Sequence, residues 1–166
     1  NVSVGLSSLM MKNTRAEDKQ QFGRLAYLWN GFKKWVGFQP HTFEIVMDDR
    51  TFYRRAAEGM IANNGAIGDP SLRWSPDVEL DDGRIDVCVV RAKTILDYLK
   101  IAWSVVTGQQ RREPHMENFI AEDHVIVNTD SDLPVQGDGD DIGRPPVLVQ
   151  VVPGAGRIVV PVARED

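Results

Sequence analysis

Two acidic turns are the parts of this chain best suited to chemistry. The first lies within Ser75 to Val87, SPDVELDDGRIDV, where Asp81-Asp82-Gly83 leads into an alternating apolar run. The second is VQGDGDDIG, where Asp138-Gly139-Asp140 stands between short strand-like segments. Hard divalent cations take oxygen ligands, and a tight turn can offer one carboxylate together with the carbonyls of its flanks. A carboxylate so placed can also accept a proton from a hydroxyl. Both stretches equally read as solvated turns, with Gly83 supplying the positive φ and Ile85, Val87 and Val89 forming the apolar face of the strand that follows. Other chemistries find less support. His41, His115 and His124 have no second ligand at metal spacing, which argues against zinc. The serines lack a nucleophile-elbow context. Cys88 alternates with Val87 and Val89 and reads as a buried, inert thiol.

The elements that must position these turns are legible from periodicity. Thr14 and Glu17 have capping-box spacing, and Phe22, Leu25, Trp29, Phe32 and Val36 recur at helical intervals, so a long amphipathic helix is predicted over 14–36. Gly23 inside it costs about 1 kcal/mol relative to Ala. Trp29 and Trp35 read as core packing rather than a lipid-facing pair. Phe43, Ile45 and Met47 alternate, Asp48-Asp49 turn the chain, and a second strand-like run reaches Asn63, giving an antiparallel hairpin. Asn64-Gly65 and Gly68-Asp69-Pro70 mark an irregular loop. Beyond the strand from Ile85 to Val90, Thr94 and Asp97 cap a second helix, with Ile95, Leu99, Ala102 and Val106 on one face and Gly108 as its stop. The last third is a series of short strands, with Val125 and Val127 alternating, Val147 to Val152 apolar, and Ile158 to Val162 closing the chain. The expected fold is β-rich α+β: a two-layer β-sandwich or partly open barrel with two main helices near 14–36 and 94–107.

At 166 residues the chain has the size of one domain. Its net charge of −5 argues against a general nucleic-acid binder, which needs a basic surface. Lys33-Lys34, Arg54-Arg55 and Arg111-Arg112 read as solvated charge, with an anion- or membrane-facing patch as the alternative. One cysteine permits no internal disulfide and suits a reducing cytosol. No apolar run approaches the roughly 18 to 20 residues of a membrane span, so membrane contact is expected to be peripheral.

The order of these motifs resembles the C-terminal domain of the diacylglycerol kinase and sphingosine kinase family, including its bacterial lipid kinases. The resemblance runs through Asn1-Val2 with Gly5, KQQFGRLAY from Lys19 to Tyr27, and the Asn63-Asn64-Gly65 turn. It continues through SPDVELDDGRIDV, the helix ending in Val105-Val106-Thr107-Gly108, the Asp138-Gly139-Asp140 turn and the closing Val152-Pro153-Gly154-Ala155. Nearly the whole chain is covered.

The resemblance implies an ATP-dependent kinase for a hydroxyl of a diacylglycerol-like or long-chain lipid. Asp138 matches the family's catalytic aspartate. Asp140 stands where the family usually has a nucleotide-contacting Glu, and Gly137 replaces an apolar strand residue. Lys19 matches a lysine facing the active cleft. The Asp82 turn matches one that holds magnesium through its aspartate and through carbonyls matching Glu79 and Arg84, supporting the join between two domains. Similar proteins carry an N-terminal nucleotide-binding domain with a Gly-Gly-Asp-Gly-Thr loop. That domain is the expected partner, since the chain begins at Asn1 without such a loop and the fragment alone is expected to be inactive. A homodimer is left open. Two other readings remain: a non-catalytic sandwich module binding a lipid or protein, and, more remotely, a calcium module built on GDGDD. A related kinase for a nicotinamide dinucleotide shares the broad architecture, but KQQFGRLAY and VVPGA favour the lipid branch.

Overall fold

A computed structural model describes residues 1–12, 39–67 and 69–156. Two-residue periodicity organises it. In β2 (His41–Met47) Phe43, Ile45 and Met47 are buried while their neighbours are at least partly exposed. β2 forms a hairpin with β3 (Arg50–Ala56) across the expected Asp48-Asp49 turn. Together with β9 (His124–Thr129) and β12 (Val147–Gln150) they make a four-stranded antiparallel sheet in the order β12-β9-β2-β3. A six-stranded antiparallel sheet faces it. Its strands are β1 (Val2–Gly5), β4 (Glu58–Ala62), β7 (Ile85–Val90), β8 (Met116–Ala121), β10 (Val135–Gly137) and β11 (Asp140–Gly143), in the order β11-β10-β1-β4-β7-β8, while β5 (Ala66–Ile67) and β6 (Asp69–Arg73) pair as a small separate two-stranded sheet. Val4, Ile61, Val87, Val89 and Val135 from the six-stranded sheet meet Phe43, Ile45, Met47, Val125 and Val127 from the four-stranded one in one core. These two sheets stay separate, so the architecture is a sandwich rather than a barrel. The helix expected over 14–36 and the strand from Ile158 to Val162 lie outside the described residues.

The strand-like run after Asp48-Asp49 is not one strand. It breaks at Ala57, where the chain leaves the smaller sheet and enters the larger as β4. Ala57 N donates to Val90 O (2.8 Å), and Ala57 O accepts from Leu6 N (3.1 Å), so its backbone is already bonded to the second sheet. The same point fixes α1 (Leu6–Lys12). Gly5 turns from β1 into α1 at φ +127°, and a Cβ there would lie 2.4 Å from Ala57 O. Glu58, only 6% exposed, accepts from Ser7 N (2.8 Å) and Ser7 Oγ (2.5 Å), satisfying a donor at the start of α1. Ser3, Ser7 and Ser8 hydroxyls extend this buried network. Burial pushes the Glu58 carboxyl up to about 7 despite these hydrogen bonds.

The second helix, α2 (Ile95–Thr107), has the predicted ends. Thr94 Oγ1 and Asp97 make a reciprocal capping box, and Gly108 closes it at φ 71°. Its orientation is rotated from the simplest expectation. Tyr98 and Ile101 pack onto the outer face of the larger sheet against Cys88, Trp74 and Met116. Leu99, Ala102 and Val106, expected to share the helix's apolar face with Ile95, are exposed. The helix is apolar on two sides, and periodicity alone does not choose between them. Contact with the sheet decides the choice.

Gly5→Ala should cost about 2–4 kcal/mol, since it adds both a clash and a backbone conformation foreign to L-residues. Gly83→Ala, with φ +73° and open space around it, should cost only about 1–2 kcal/mol. Urea unfolding of the two variants reads the difference. Glu58 makes stability pH-dependent in a definite direction. Its folded carboxyl titrates near 7 against 4.5 as the ordinary value. Between those values the native state holds a proton that the unfolded chain releases, so stability falls as pH rises through the window. The loss should be on the order of 3 kcal/mol, and Glu58→Gln should flatten it in a pH series of unfolding curves.

Candidate functional site

Strand register brings the two acidic turns to one end of the larger sheet. Gly137 pairs with Val2, Val2 with Ile61, and Ile61 with Val87. One residue further along, Asp138 follows Gly137, Asn1 precedes Val2, and Ala62 pairs with Asp86. Asp138 and Asp86 therefore stand on the same sheet end, three strand spacings or about 14 Å apart. They are neighbours across a surface, too far apart to hold one ion.

Asp138 and Gly139 form the two-residue turn between β10 and β11, with φ of 47° and 100°. Positive φ at both central residues is the type I′ condition, for which Asp-Gly is a favoured pair. Asp138 N donates to Asn1 O (2.9 Å), pinning the turn to the start of β1. The Asp138 side chain is 84% exposed and presents its carboxylate outward. Gly137 has a local reason: Ile142 folds across it, and a Cβ there would sit 3.1 Å from Ile142 Cδ1. Asp140 is exposed on β11, whereas Asp141 accepts from Gly143 N (3.1 Å) and faces Arg144. The GDGDD stretch is thus a hairpin tip.

The second turn is fastened by the Asn63-Asn64-Gly65 motif. Asn63 Nδ2 donates to Leu80 O (3.0 Å), Asn64 Oδ1 accepts from Ala66 N (3.0 Å), and a Cβ on Gly65 would lie 2.8 Å from Ser75 O. The Arg73 guanidinium bonds Val78 O, and Arg111 pairs with Asp77. Between these anchors Glu79, Asp82 and Arg84 are exposed. Asp82 Oδ1 accepts from Arg84 N (2.9 Å), and the Arg84 guanidinium reaches Glu122 (3.4 Å).

Beside this turn Asp86 is only 5% exposed, with no hydrogen-bond partner for its carboxylate among the described residues. Burial first, then the charges of Asp82 and Asp77, push it up to about 6. The like charges that press on Asp86 are thus those of Asp82, four residues before it, and Asp77, in the loop folded beside it. The donors fit a hard cation, because a positive charge would relieve Asp86 and oxygen is the only ligand type present. Among the described residues no three carboxylate, His or Cys side chains converge. A cation here would rely on the Asp82 carboxylate with backbone carbonyls.

Lys19 lies outside the described residues. Sequence reasoning also missed two structural carboxylates. Asp48, at φ 50° in the β2–β3 turn, accepts from the backbone N–H groups of Glu122, Asp123 and His124, which hold its pKa down. Glu58 was marked only by being a lone charge within an apolar run. Cys88 is fully buried, and burial pushes its thiol up to about 12, matching the inert reading.

Comparison with known proteins places this geometry. Residues 1–160 match the family model described as the YegS C-terminal NAD kinase beta sandwich-like domain. An uncharacterized protein of Synechocystis is 24% identical over 162 residues, 96% of this chain and 37% of that one. A diacylglycerol kinase of Bacillus subtilis is 22% identical over 122 residues, 74% of this chain and 40% of that one. Among solved structures, a diacylglycerol kinase from Bacillus anthracis superposes with a TM-score of 0.65 at 19% identity, covering 92% of this chain and 48% of that one. The chain thus spans less than half the length of these relatives.

The buried acid gives a test of the site's electrostatics. Asp86 is raised above the ordinary carboxylate value of 3.8. Its ionisation therefore opposes folding increasingly as pH rises from about 4 to about 6, and fully above that. Asp86→Asn should raise the melting temperature above this window and leave it nearly unchanged at the acid end. Thermal melts across the range check both limbs.

Proposed function

The chain belongs to the family of the YegS C-terminal NAD kinase beta sandwich-like domain, and from this we propose that it is the substrate and catalytic-base domain of an ATP-dependent lipid kinase. The observation that most supports the reading is the family match over residues 1–160, with lipid kinases among the relatives. The acceptor is a hydroxyl of a diacylglycerol-like or long-chain lipid. In this reading the nucleotide-binding machinery belongs to a preceding domain of the same protein, and the enzyme works in the cytoplasm with peripheral access to membranes. Among the described residues no helix is long and apolar enough to cross a membrane.

In this reading the Asp138 carboxylate accepts the proton of the lipid hydroxyl as its oxygen attacks the terminal phosphorus of ATP. The new O–P bond forms while the bond to the ADP oxygen breaks. An exposed carboxylate on a turn with no bulky neighbour suits this role, because both acceptor and nucleotide must reach it. Asp140, on the adjoining strand, faces the nucleotide, and Lys19 offsets phosphate charge. Magnesium would be held by the Asp82 carboxylate with the carbonyls of Glu79 and Arg84, where it would neutralise the acidic turn and stiffen the join to the nucleotide domain. The rival reading of a module that has lost catalysis drew on Gly137 and Asp140. Packing of Ile142 over Gly137 gives that glycine a structural reason and weakens the rival.

Joined to a nucleotide-binding domain that carries a Gly-Gly-Asp-Gly-Thr loop, Asp138→Asn should lower kcat roughly 100-fold or more, with ATP affinity nearly unchanged. Steady-state kinetics on Asp138→Asn beside Asp140→Asn and Asp141→Asn decide the assignment. Near-normal turnover for Asp138→Asn would remove it as the base. Turnover by the isolated 166-residue chain would overturn the two-domain account.

A further inference from the structure

The outer side of α2 carries a feature that neither the core nor the acidic turns explain. Leu96, Leu99, Trp103 and Val106 are 67%, 59%, 69% and 67% exposed. At 100° per residue they fall within an arc of about 80°, forming one continuous stripe on a helix about 20 Å long. With Lys100, Gln109 and Arg112, the first three of them line an open groove of about 530 Å³. A Trp, two Leu and a Val aligned on one exposed face exceed the scattered apolar residues of an ordinary surface.

The charges around the stripe have one effective sign. Lys93, Lys100 and Arg112 have no ion-pair partner among the described residues. The acids nearby are engaged. Asp97 accepts from Lys93 N and Thr94 N at the helix start (2.9 and 2.8 Å), which holds its carboxyl down to about 2. Glu113 is bonded by His115 (2.6 Å). On a chain of net charge −5 this face is therefore locally cationic. An apolar stripe containing Trp, edged by free Lys and Arg, matches a helix lying in the plane of a membrane, its ring at the headgroup level and its cations among anionic phosphates. Just past the end of α2, in the 3-10 turn Gln110–Arg112, Arg111 pairs with Asp77 of the loop that leads into the Asp82 turn.

We propose that the outer face of α2 is a membrane-docking surface, seating Leu96, Leu99, Trp103 and Val106 in the interface of an anionic bilayer, with Lys93, Lys100 and Arg112 on its headgroups. The proposal adds a surface to the lipid-kinase reading, and its test uses no kinase activity, so either can fail alone.

The test is co-sedimentation of the 166-residue chain with vesicles of phosphatidylcholine, with and without phosphatidylserine. The parent should bind the phosphatidylserine vesicles more tightly, and high salt should weaken that binding. Leu99→Glu with Trp103→Glu should weaken it by about tenfold or more. Lys100→Glu with Arg112→Glu should remove the preference for phosphatidylserine. All four side chains are solvent-facing, so unchanged melting temperatures are expected. Equal sedimentation of parent and apolar variant would overturn the proposal, as would no binding by the parent. A fall in melting temperature of the apolar variant would overturn it too, by showing that the protein itself covers the face. Conversion of a dimer to a monomer with vesicle binding intact would assign the face to a second copy instead.

Discussion

The joint at Gly5, Ala57 and Glu58 is the constraint on which both layers depend. Two connections meet there: β1 becomes α1, and β3 gives way to β4, handing the chain from the smaller sheet to the larger. Only a residue without a side chain can pass Ala57 O at the Gly5 position, and the Glu58 carboxylate must sit inside to meet Ser7. A buried acid raised to about 7 is an uncomfortable group to keep. Its retention here follows from what it holds: the first turn of a short helix that has few other partners for its amides. With the joint fixed, β1 lies between β4 and β10, and the rest of the register follows.

That register separates the molecule into two ends with different characters. At the joint end, polar groups are buried and mutually bonded. At the other end, the turns after β10 and before β7 project acidic groups from the sheet, and their supports include the Asn1 carbonyl and the side-chain amides of Asn63 and Asn64, each bonded to backbone. Rigid strands thus set the spacing of the turns while the turns themselves remain accessible. This suits a face completed by another domain.

Much of this was legible in the sequence because local chemistry and global fold agree. The Thr94–Asp97 box, the Gly108 stop, the Phe43-Ile45-Met47 alternation and the Asp-Gly turn at 138 each have a short-range cause, and each occurs where expected. The illegible features have long-range causes. The break at Ala57 arises from backbone bonds to Leu6 and Val90, distant in sequence. The rotation of α2 reflects a helix with two apolar sides, only one of which meets Cys88 and Met116. The pressure of Asp77 on Asp86 depends on a loop folding back. The roles proposed for Asp138 and the Asp82 turn come from the family resemblance, which no periodicity could have replaced.

Cys88 lies on the outer face of the larger sheet, on the strand beneath α2 and within the electrostatic reach of Glu58. Its thiol is fully buried and held protonated, so nothing dissolved in water can attack it while the outer layer is seated. Its chemistry is therefore governed by how often the helix and the Trp74 loop lift from the sheet, rather than by the sulfur itself. The chain's single cysteine is in effect an internal clock for that breathing motion, and anything that clamps the outer layer down will slow it.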